Sequence, residues 1–177
     1  MRTQTDRWLA ACRVALVAVA FASSACGAPM ARSGGGERGA SPEFVLSDLD
    51  GRTVRLSDYQ GKVVLVTFWA TWCAPCAAEH PQLEKLWREY RDEGFVVLGV
   101  SMDGPETVSG VASLASSRGL TFPILLDEDT RAAAVLNPRG AAPYSVLIDR
   151  EGQIAWTHDG YHSGDELALE AELRRRL

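Results

Sequence analysis

Histidine and cysteine are scarce in this sequence, and their scarcity limits the chemistry available to it. The 177 residues include three histidines and four cysteines. A structural zinc site takes about four sulfur or nitrogen ligands at compatible spacing. The only closely spaced thiols are Cys73 and Cys76, so we expect no metal site. The histidines, which we expect to be surface or hydrogen-bonded residues without a catalytic role, are His80, His158 and His162.

Basic clusters and long apolar runs are also missing. The chain has 18 lysines and arginines against 23 aspartates and glutamates, for a formal net charge of −5. Proteins that bind nucleic acid present patches of positive charge. No such patch is visible, so we expect a protein or small-molecule partner and no nucleic acid. The apolar run Val14–Ala22 is shorter than the roughly 20 residues of a transmembrane helix.

The N-terminal segment has the pattern of an export signal. Arg2, Arg7 and Arg13 precede the apolar run Val14–Ala22, and small residues follow it. A basic segment, a short apolar segment and small residues, in that order, are typical of a secretory signal peptide. We therefore interpret residues 1–25 as a signal peptide and expect the rest of the chain to be exported.

Cys26 follows the small residues directly and resembles the lipidated cysteine of bacterial lipoproteins. Ser23 stands where such signals usually carry an apolar residue, so cleavage that leaves Cys26 as a free thiol is an alternative. A single anchor helix over residues 8–25 is another. Lipid on Cys26 would hold the protein at a membrane, in the periplasm or at another extracytoplasmic face.

Composition separates a linker from a folded domain. Residues 26–40 are small, polar and rich in glycine, which suits a flexible tether. Residues 41–177 carry the apolar patterns expected of one domain. Within this domain Cys73 and Cys76 are the only thiols, and an exported compartment permits disulfides.

Strand and helix patterns alternate along the domain. Continuous apolar runs at residues 63–68 and 95–100 predict two strands buried on both faces, as in a parallel sheet. The turn at Asp50–Gly51 predicts an N-terminal β-hairpin, and residues 144–158 predict a second hairpin. Together these patterns indicate an α/β domain with a mixed central sheet. Further elements are predicted as a short strand at 122–126 and helices near 73–93, 105–118, 130–136 and 163–177, the last with a capping box from Ser163 to Glu166.

Cys73 and Cys76 stand where the first of these helices begins. The free N–H groups and positive dipole end of a helix favour a thiolate there. Pro75 has no N–H to lose in a first helical turn. Disulfide exchange needs a reactive thiolate and a second thiol that resolves the mixed disulfide. The spacing therefore predicts Cys73 as the nucleophile and Cys76 as the resolving thiol.

The sequence around the pair resembles a known family. Residues 72–76 read WCAPC and match the WCxPC signature of thioredoxin-like proteins. The longer stretch GKVVLVTFWATWCAPCAAEHP, residues 61–81, is similar to exported proteins of the TlpA/ResA type within the redoxin or AhpC/TSA superfamily. The resemblance implies a thiol–disulfide oxidoreductase. It also implies a thioredoxin-like fold, in which helices flank a mixed sheet and an insertion spans residues 104–139.

Several site residues follow from this resemblance. Pro143 matches a proline that the fold places in cis facing the cysteines, and the backbone of Ala142 would pair with an extended substrate. Glu79 matches a buried carboxylate near the thiols. Burial would raise its pKa, so that it relays a proton to or from Cys76. The expected substrate groove also includes Trp72, Ala74 and Pro75.

The resemblance implies partners as well. Such proteins work with the redox-active disulfide alone, so we expect no further cofactor. The family's reductases serve cytochrome c maturation or other exported clients with disulfides, and a membrane thiol-transfer protein supplies their electrons. The Ala74–Pro75 pair between the cysteines lacks the histidine that strong oxidants and isomerases carry beside the second cysteine, which favours reduction. We expect a monomer held at the membrane by lipid on Cys26.

Two other functions stay open. A peroxiredoxin-like thiol peroxidase shares the fold, but its PxxxTxxC signature needs proline at Val66 and threonine at Ala70. A non-catalytic module could hold a client in the same groove, and would keep doing so with both cysteines replaced by serine. A purely structural disulfide is disfavoured, because so small a loop constrains little of the unfolded chain.

Overall fold

A computed structural model describes residues 42–177 of the protein. The predicted signal peptide at residues 1–25, the predicted lipidation site at Cys26 and the predicted tether at residues 26–40 lie outside the described residues. Between residues 42 and 177, no helix combines the length and the apolar character needed to cross a membrane.

Strands and α-helices alternate along this part of the chain, and both predicted hairpins are present. In chain order the elements are β1 (Val45–Asp48), β2 (Thr53–Arg55), β3 (Val63–Trp69), α1 (Ala74–Tyr90), β4 (Phe95–Ser101), α2 (Val111–Ser117), β5 (Ile124–Leu126), α3 (Arg131–Leu136), β6 (Tyr144–Ile148), β7 (Ile154–Asp159) and α4 (Asp165–Arg174). Short 3-10 helices connect some of them at Leu56–Tyr59, Arg91–Glu93 and Val108–Gly110.

The strands form one mixed sheet in the order β2-β1-β5-β4-β3-β6-β7. β3, β4 and β5 are parallel, whereas β6 runs antiparallel to β3 and β7 antiparallel to β6. At the other side β1 pairs antiparallel with both β2 and β5. This sheet confirms the predicted α/β architecture. The insertion predicted at residues 104–139 contributes β5, which lies inside the sheet between β1 and β4.

The central strands β3 and β4 are buried along their whole length, because helices cover both faces of the sheet. Val63 and Leu65 belong to the core cluster formed with α1, α2 and α4. Val64 and Val66 belong to the second cluster, formed with α3 and the first hairpin. A fully buried valine or leucine contributes about 1.5–3 kcal/mol. Packing on both faces therefore holds β3 in place. The chain continues from the end of β3 to Cys73.

Two predicted helices have different boundaries from those expected. The helix predicted over residues 105–118 becomes α-helical only at Val111, after a turn closed by the Thr107 N–H on the Gly104 carbonyl at 3.0 Å and a 3-10 segment. In α2, Val111 and Ala115 are buried, whereas Ala112 is exposed.

The predicted capping box at the start of the last helix is absent. α4 begins at Asp165, and its N-cap is Gly164, with no side-chain cap. Gly164 has a φ of 106°, a left-handed conformation that glycine adopts readily. This glycine separates Ser163 from the first helical turn, so Ser163 is not at the capping position. The helix ends at Arg174 rather than at the C-terminus.

Candidate active site

Cys73 and Cys76 form a disulfide at the start of α1, with Cα atoms 5.4 Å apart. Cys73 is the N-cap of the helix, and its Sγ accepts a hydrogen bond from the Cys76 N–H at 3.2 Å. Pro75 lies in the first turn, as predicted. The amide groups and dipole of this turn favour negative charge on the Cys73 sulfur. The arrangement therefore suits Cys73 to react as a thiolate.

Access from solvent differs between the two sulfurs. Cys73 is 4% exposed and Cys76 is fully buried. Both cysteines belong to a core cluster against which Ala142 packs. An incoming disulfide can therefore reach Cys73 first, which suits the order of attack that the sequence predicts.

The residues beside Cys73 present an open apolar surface. Trp72 is 65% exposed, and Ala74 and Pro75 are exposed as well. Trp69, by contrast, is completely buried in the core. Exposed aromatic side chains are enriched where proteins dock. The position of Trp72 therefore suits contact with a partner chain.

The loop before β6 brings a proline to the same edge of the sheet. The Ala142–Pro143 peptide bond is cis, as predicted. Asn137 is buried and clamps the backbone next to it: its amide donates to the Ala141 carbonyl at 2.8 Å, and its Oδ1 accepts from the Ala141 N–H at 3.1 Å. No motif in the sequence indicates these two hydrogen bonds of Asn137, which hold the loop in place.

Glu79 is a buried carboxyl group one helical turn beyond Cys76. It is 4% exposed, and it accepts hydrogen bonds from Ser145 Oγ at 3.2 Å and Thr67 Oγ1 at 3.4 Å. Burial raises the pKa of Glu79 to about 7, against the opposing effect of these two hydrogen bonds. The predicted burial and direction of the pKa shift are confirmed, while the proton-relay role stays a prediction.

Asp103 fixes the turn that carries Trp72 and Cys73. It is fully buried, and accepts hydrogen bonds from the Thr71 N–H at 2.9 Å, the Thr71 hydroxyl and the Ser101 hydroxyl at 2.8 Å. Burial alone would raise the pKa of Asp103, but these hydrogen bonds outweigh it and lower the pKa. The sequence prediction missed this residue. Its position just after β4, which parallels β3, was the available signal.

His80 is one of the histidines expected to be either at the surface or hydrogen-bonded, and it is hydrogen-bonded in the core. It is completely buried, with its ring edge-on to Trp69 at 4.8 Å between centroids. Its Nδ1 lies 3.0 Å from Arg118 Nη1. Arginine only donates, so Nδ1 accepts and Nε2 carries the proton. Burial, with the nearby charge of Arg118, lowers the pKa of His80 to about 4.

The other two histidines meet at one carboxylate. His158 Nε2 lies 2.9 Å from Asp165 Oδ2, and His162 Nδ1 lies 3.6 Å from the same oxygen. His162 is almost fully exposed. Among residues 42–177, no group of three or more histidine, cysteine, aspartate and glutamate side chains could hold a metal ion.

The sheet, the disulfide that begins a helix and the cis-proline define the class of thioredoxin-like proteins. Residues 38–157 match the AhpC/TSA family. The chain is 43% identical over 116 residues to the thiol–disulfide oxidoreductase ResA of Geobacillus thermodenitrificans, covering 64% of each chain. It is 32% identical over 127 residues to ResA of Bacillus thuringiensis, covering 72% of each. The protein therefore belongs to the AhpC/TSA family and, within it, to the ResA-type thiol–disulfide oxidoreductases.

A solved structure has the same fold. The crystal structure of a Chlorobium tepidum protein assigned as the thiol:disulfide interchange protein DsbE superposes with a TM-score of 0.71 at 30% identity. The match covers 77% of this chain and 94% of that one. The alignment with the Geobacillus ResA spans only 64% of that relative's length, so the resemblance leaves part of each chain outside it.

Proposed function

We propose that this protein is an exported, lipid-anchored reductase that breaks disulfides in exported client proteins. The observation that carries the proposal is the Cys73–Cys76 disulfide at the N-terminus of α1, where Cys73 is 4% exposed and Cys76 is fully buried. The thiol–disulfide oxidoreductases among its relatives support the same chemistry.

The reaction begins from the reduced pair. The Cys73 thiolate attacks a client disulfide, so that one client sulfur bonds to Cys73 and the other leaves as a thiolate. Cys76 then attacks the Cys73 sulfur, which forms the Cys73–Cys76 disulfide and releases the second client sulfur as a thiolate. Two electrons pass from the pair to the client, and no other redox group is needed.

Glu79 serves the second step. Cys76 attacks as a thiolate, so its thiol must first lose a proton, and Cys76 has no contact with solvent. Glu79 lies three residues further along α1, on the same face of the helix. A carboxyl group whose pKa is about 7 can accept and return a proton near neutral pH.

The client would bind beside the pair as an extended segment. The exposed side chain of Trp72 offers an apolar contact, and the backbone at Ala142, before Pro143, offers strand-like hydrogen bonds. Ala74 and Pro75, both exposed, would form the floor of this groove. We expect clients of the kind that cytochrome c maturation supplies, or other exported proteins with disulfides.

Export and anchoring rest on the N-terminal sequence. We propose that residues 1–25 are removed, that Cys26 then carries lipid, and that residues 26–40 let a monomeric domain reach clients from the membrane. A membrane thiol-transfer protein would return electrons to the pair. Replacing Cys26 by serine (Cys26→Ser) should move the protein from the membrane fraction to the soluble fraction. Retention of this variant in the membrane would contradict lipid anchoring.

A trapping experiment tests the proposed activity. With Cys76→Ser the mixed disulfide cannot be resolved, so client proteins should accumulate on Cys73 as adducts that a reductant removes. Cys73→Ser should form no adducts and lose turnover. If the variant with both cysteines replaced by serine still retains clients, the protein is a binding module. If Cys76→Ser traps no client, the reductase proposal is wrong.

The peroxidase alternative has no observation in its favour. The threonine of its signature would fall at Ala70, which is a fully buried alanine. The nearest hydroxyl along the chain, that of Thr71, donates to Asp103. No hydroxyl at the signature position is therefore available to assist attack of Cys73 on a peroxide.

A further inference from the structure

Glu79 has almost no direct contact with water. The side chain is 4% exposed, so a proton that it takes from Cys76 cannot pass straight into bulk solvent. Exchange of this proton with bulk water between the two half-reactions needs a path past the buried side chain. The structure should therefore contain a route from the Glu79 carboxyl to the surface.

A narrow cavity of about 10 Å³ is lined on one side by Glu79. A volume of about 10–15 Å³ holds one water molecule. Its walls come from α1, β6, β7, α4 and the turn before α4. The titratable groups that face it are Glu79, His158, Tyr161, Asp165 and Glu166.

Three of these groups are poor proton acceptors near neutral pH. Burial, followed by a hydrogen bond to Glu166, raises the pKa of Tyr161 to about 12, so its hydroxyl keeps its proton. Hydrogen bonds from the His162 N–H and then His158 lower the pKa of Asp165. Hydrogen bonds from its own N–H and from Tyr161 lower the pKa of Glu166. Both carboxylates therefore remain charged.

His158 is the remaining group, and its position spans the cavity and the surface. It lies on β7, its side chain is 33% exposed, and its ring stacks on Trp156 at 5.4 Å with an interplanar angle of 7°. Its Nε2 lies 2.9 Å from Asp165 Oδ2. This contact orients the His158 ring at the wall of the cavity.

We propose that His158 transfers protons between Glu79 and bulk water, a role that we call the proton port of Glu79. This proposal rests on the proposed role of Glu79 as the proton relay. The proton leaves the Cys76 thiol for Glu79, passes through one water in the cavity to the His158 imidazole, and leaves from there to bulk water. The electrons stay with sulfur, as in the exchange described above. Reduction of the pair runs the same path in reverse.

The test separates the two chemical steps with an aromatic disulfide, 5,5′-dithiobis(2-nitrobenzoic acid), as the probe. The reduced full chain, with Cys12 and Cys26 replaced by serine, releases one coloured thiolate when Cys73 attacks and a second when Cys76 resolves the adduct. His158→Gln should leave the first phase unchanged and slow the second by about 10-fold or more near neutral pH. Added imidazole should restore the second phase.

His162→Gln is the matched control. His162 approaches the same carboxylate but is almost fully exposed and does not face the cavity, so both phases should be unchanged. If Glu79→Gln does not slow the second phase, the relay itself is wrong. If Glu79→Gln slows it and His158→Gln does not, only the port is wrong. A slow His158→Gln variant that imidazole fails to rescue, or that is slow in both phases, has a structural defect and also overturns the port.

Discussion

At the residue scale, burial shifts the pKa values of two adjacent side chains of α1 in opposite directions. The pKa of Glu79 rises to about 7, chiefly through burial, and the pKa of His80 falls to about 4 for the same main reason. Removal from water disfavours the charged form of either group. Between these two pKa values both side chains are mostly neutral, so neither of them adds a buried charge behind the disulfide.

The shift at Glu79 predicts a pH-dependent stability. Below its unfolded value of about 4.5 the group is protonated in both states and has no effect. As the pH rises from about 4.5 to about 7, the unfolded chain releases the proton and the folded one keeps it, so the free energy of unfolding falls. The total loss is about 3 kcal/mol. The Glu79→Gln variant should not show this pH-dependent loss of stability. Denaturant unfolding of the oxidised protein at several pH values measures it.

The relevant quantity is the difference between the wild type and Glu79→Gln at each pH. His80 has a lowered pKa, so its own contribution to stability increases as the pH rises through the same range. That contribution is common to both proteins and cancels in the difference. A difference that stays constant from pH about 4.5 to about 7 would mean that Glu79 is not shifted.

The sequence indicates some site residues and not others. Cys73, Cys76 and Pro75 form a local motif whose chemistry follows from its spacing, and the structure has the predicted disulfide. Asp103 and His158 carry no such motif. They reach the site because neighbouring strands bring together residues that are distant in sequence, such as Asp103 and Thr71, which follow the paired strands β4 and β3. Strand register decides those contacts, and a single sequence does not fix it.

At the element scale, β4 and β5 approach each other closely at Gly99. An ideal Cβ at this position would lie 2.8 Å from Phe122 Cε2 and 2.9 Å from Ile124 Cδ1. Real Cβ atoms do not sit so close to other heavy atoms, so any larger residue must displace the core. The glycine therefore lets the strand from the insertion pair tightly with β4.

Gly99→Ala should consequently destabilise the fold. Overpacking of a filled core typically costs about 1–3 kcal/mol, measurable as a lower urea midpoint with an unchanged slope. Gly104→Ala is the control, because nothing lies within 4 Å of its ideal Cβ and exposed changes usually stay within about 0.5 kcal/mol. Equal midpoints for the two variants would show that β4 and β5 have room to adjust.

Element types were easier to predict than element boundaries. The apolar runs 63–68 and 95–100 correspond to β3 and β4, because strands buried on both faces need continuous apolar sequence. The start of α2 was misplaced, since the glycine at position 104 begins a turn that the apolar periodicity does not reveal. The start of α4 depends on the left-handed backbone conformation of Gly164. A capping pattern in the sequence does not predict that conformation.

At the scale of the whole molecule, the sheet gathers the site from three distant segments. β3 and β4 end side by side, with Trp69 opposite Ser101, and β6 begins at the same edge, with Tyr144 opposite Phe68. Helix α1, which begins after Cys73, follows β3. Asp103 follows β4, and the cis-proline Pro143 precedes β6. The fold thus brings the Cys73–Cys76 pair, the buried carboxyl group of Glu79 and the exposed side chain of Trp72 to one edge of the sheet.

The central claim is that this dithiol donates electrons, and its reduction potential tests that claim most directly. The measurement equilibrates the Cys73–Cys76 pair with a series of glutathione redox buffers and determines the oxidised fraction. We predict a potential near that of thioredoxin, about −270 mV, or lower, as a reductase requires. A potential towards about −120 mV would identify a disulfide-forming oxidant and contradict the proposed direction of electron flow.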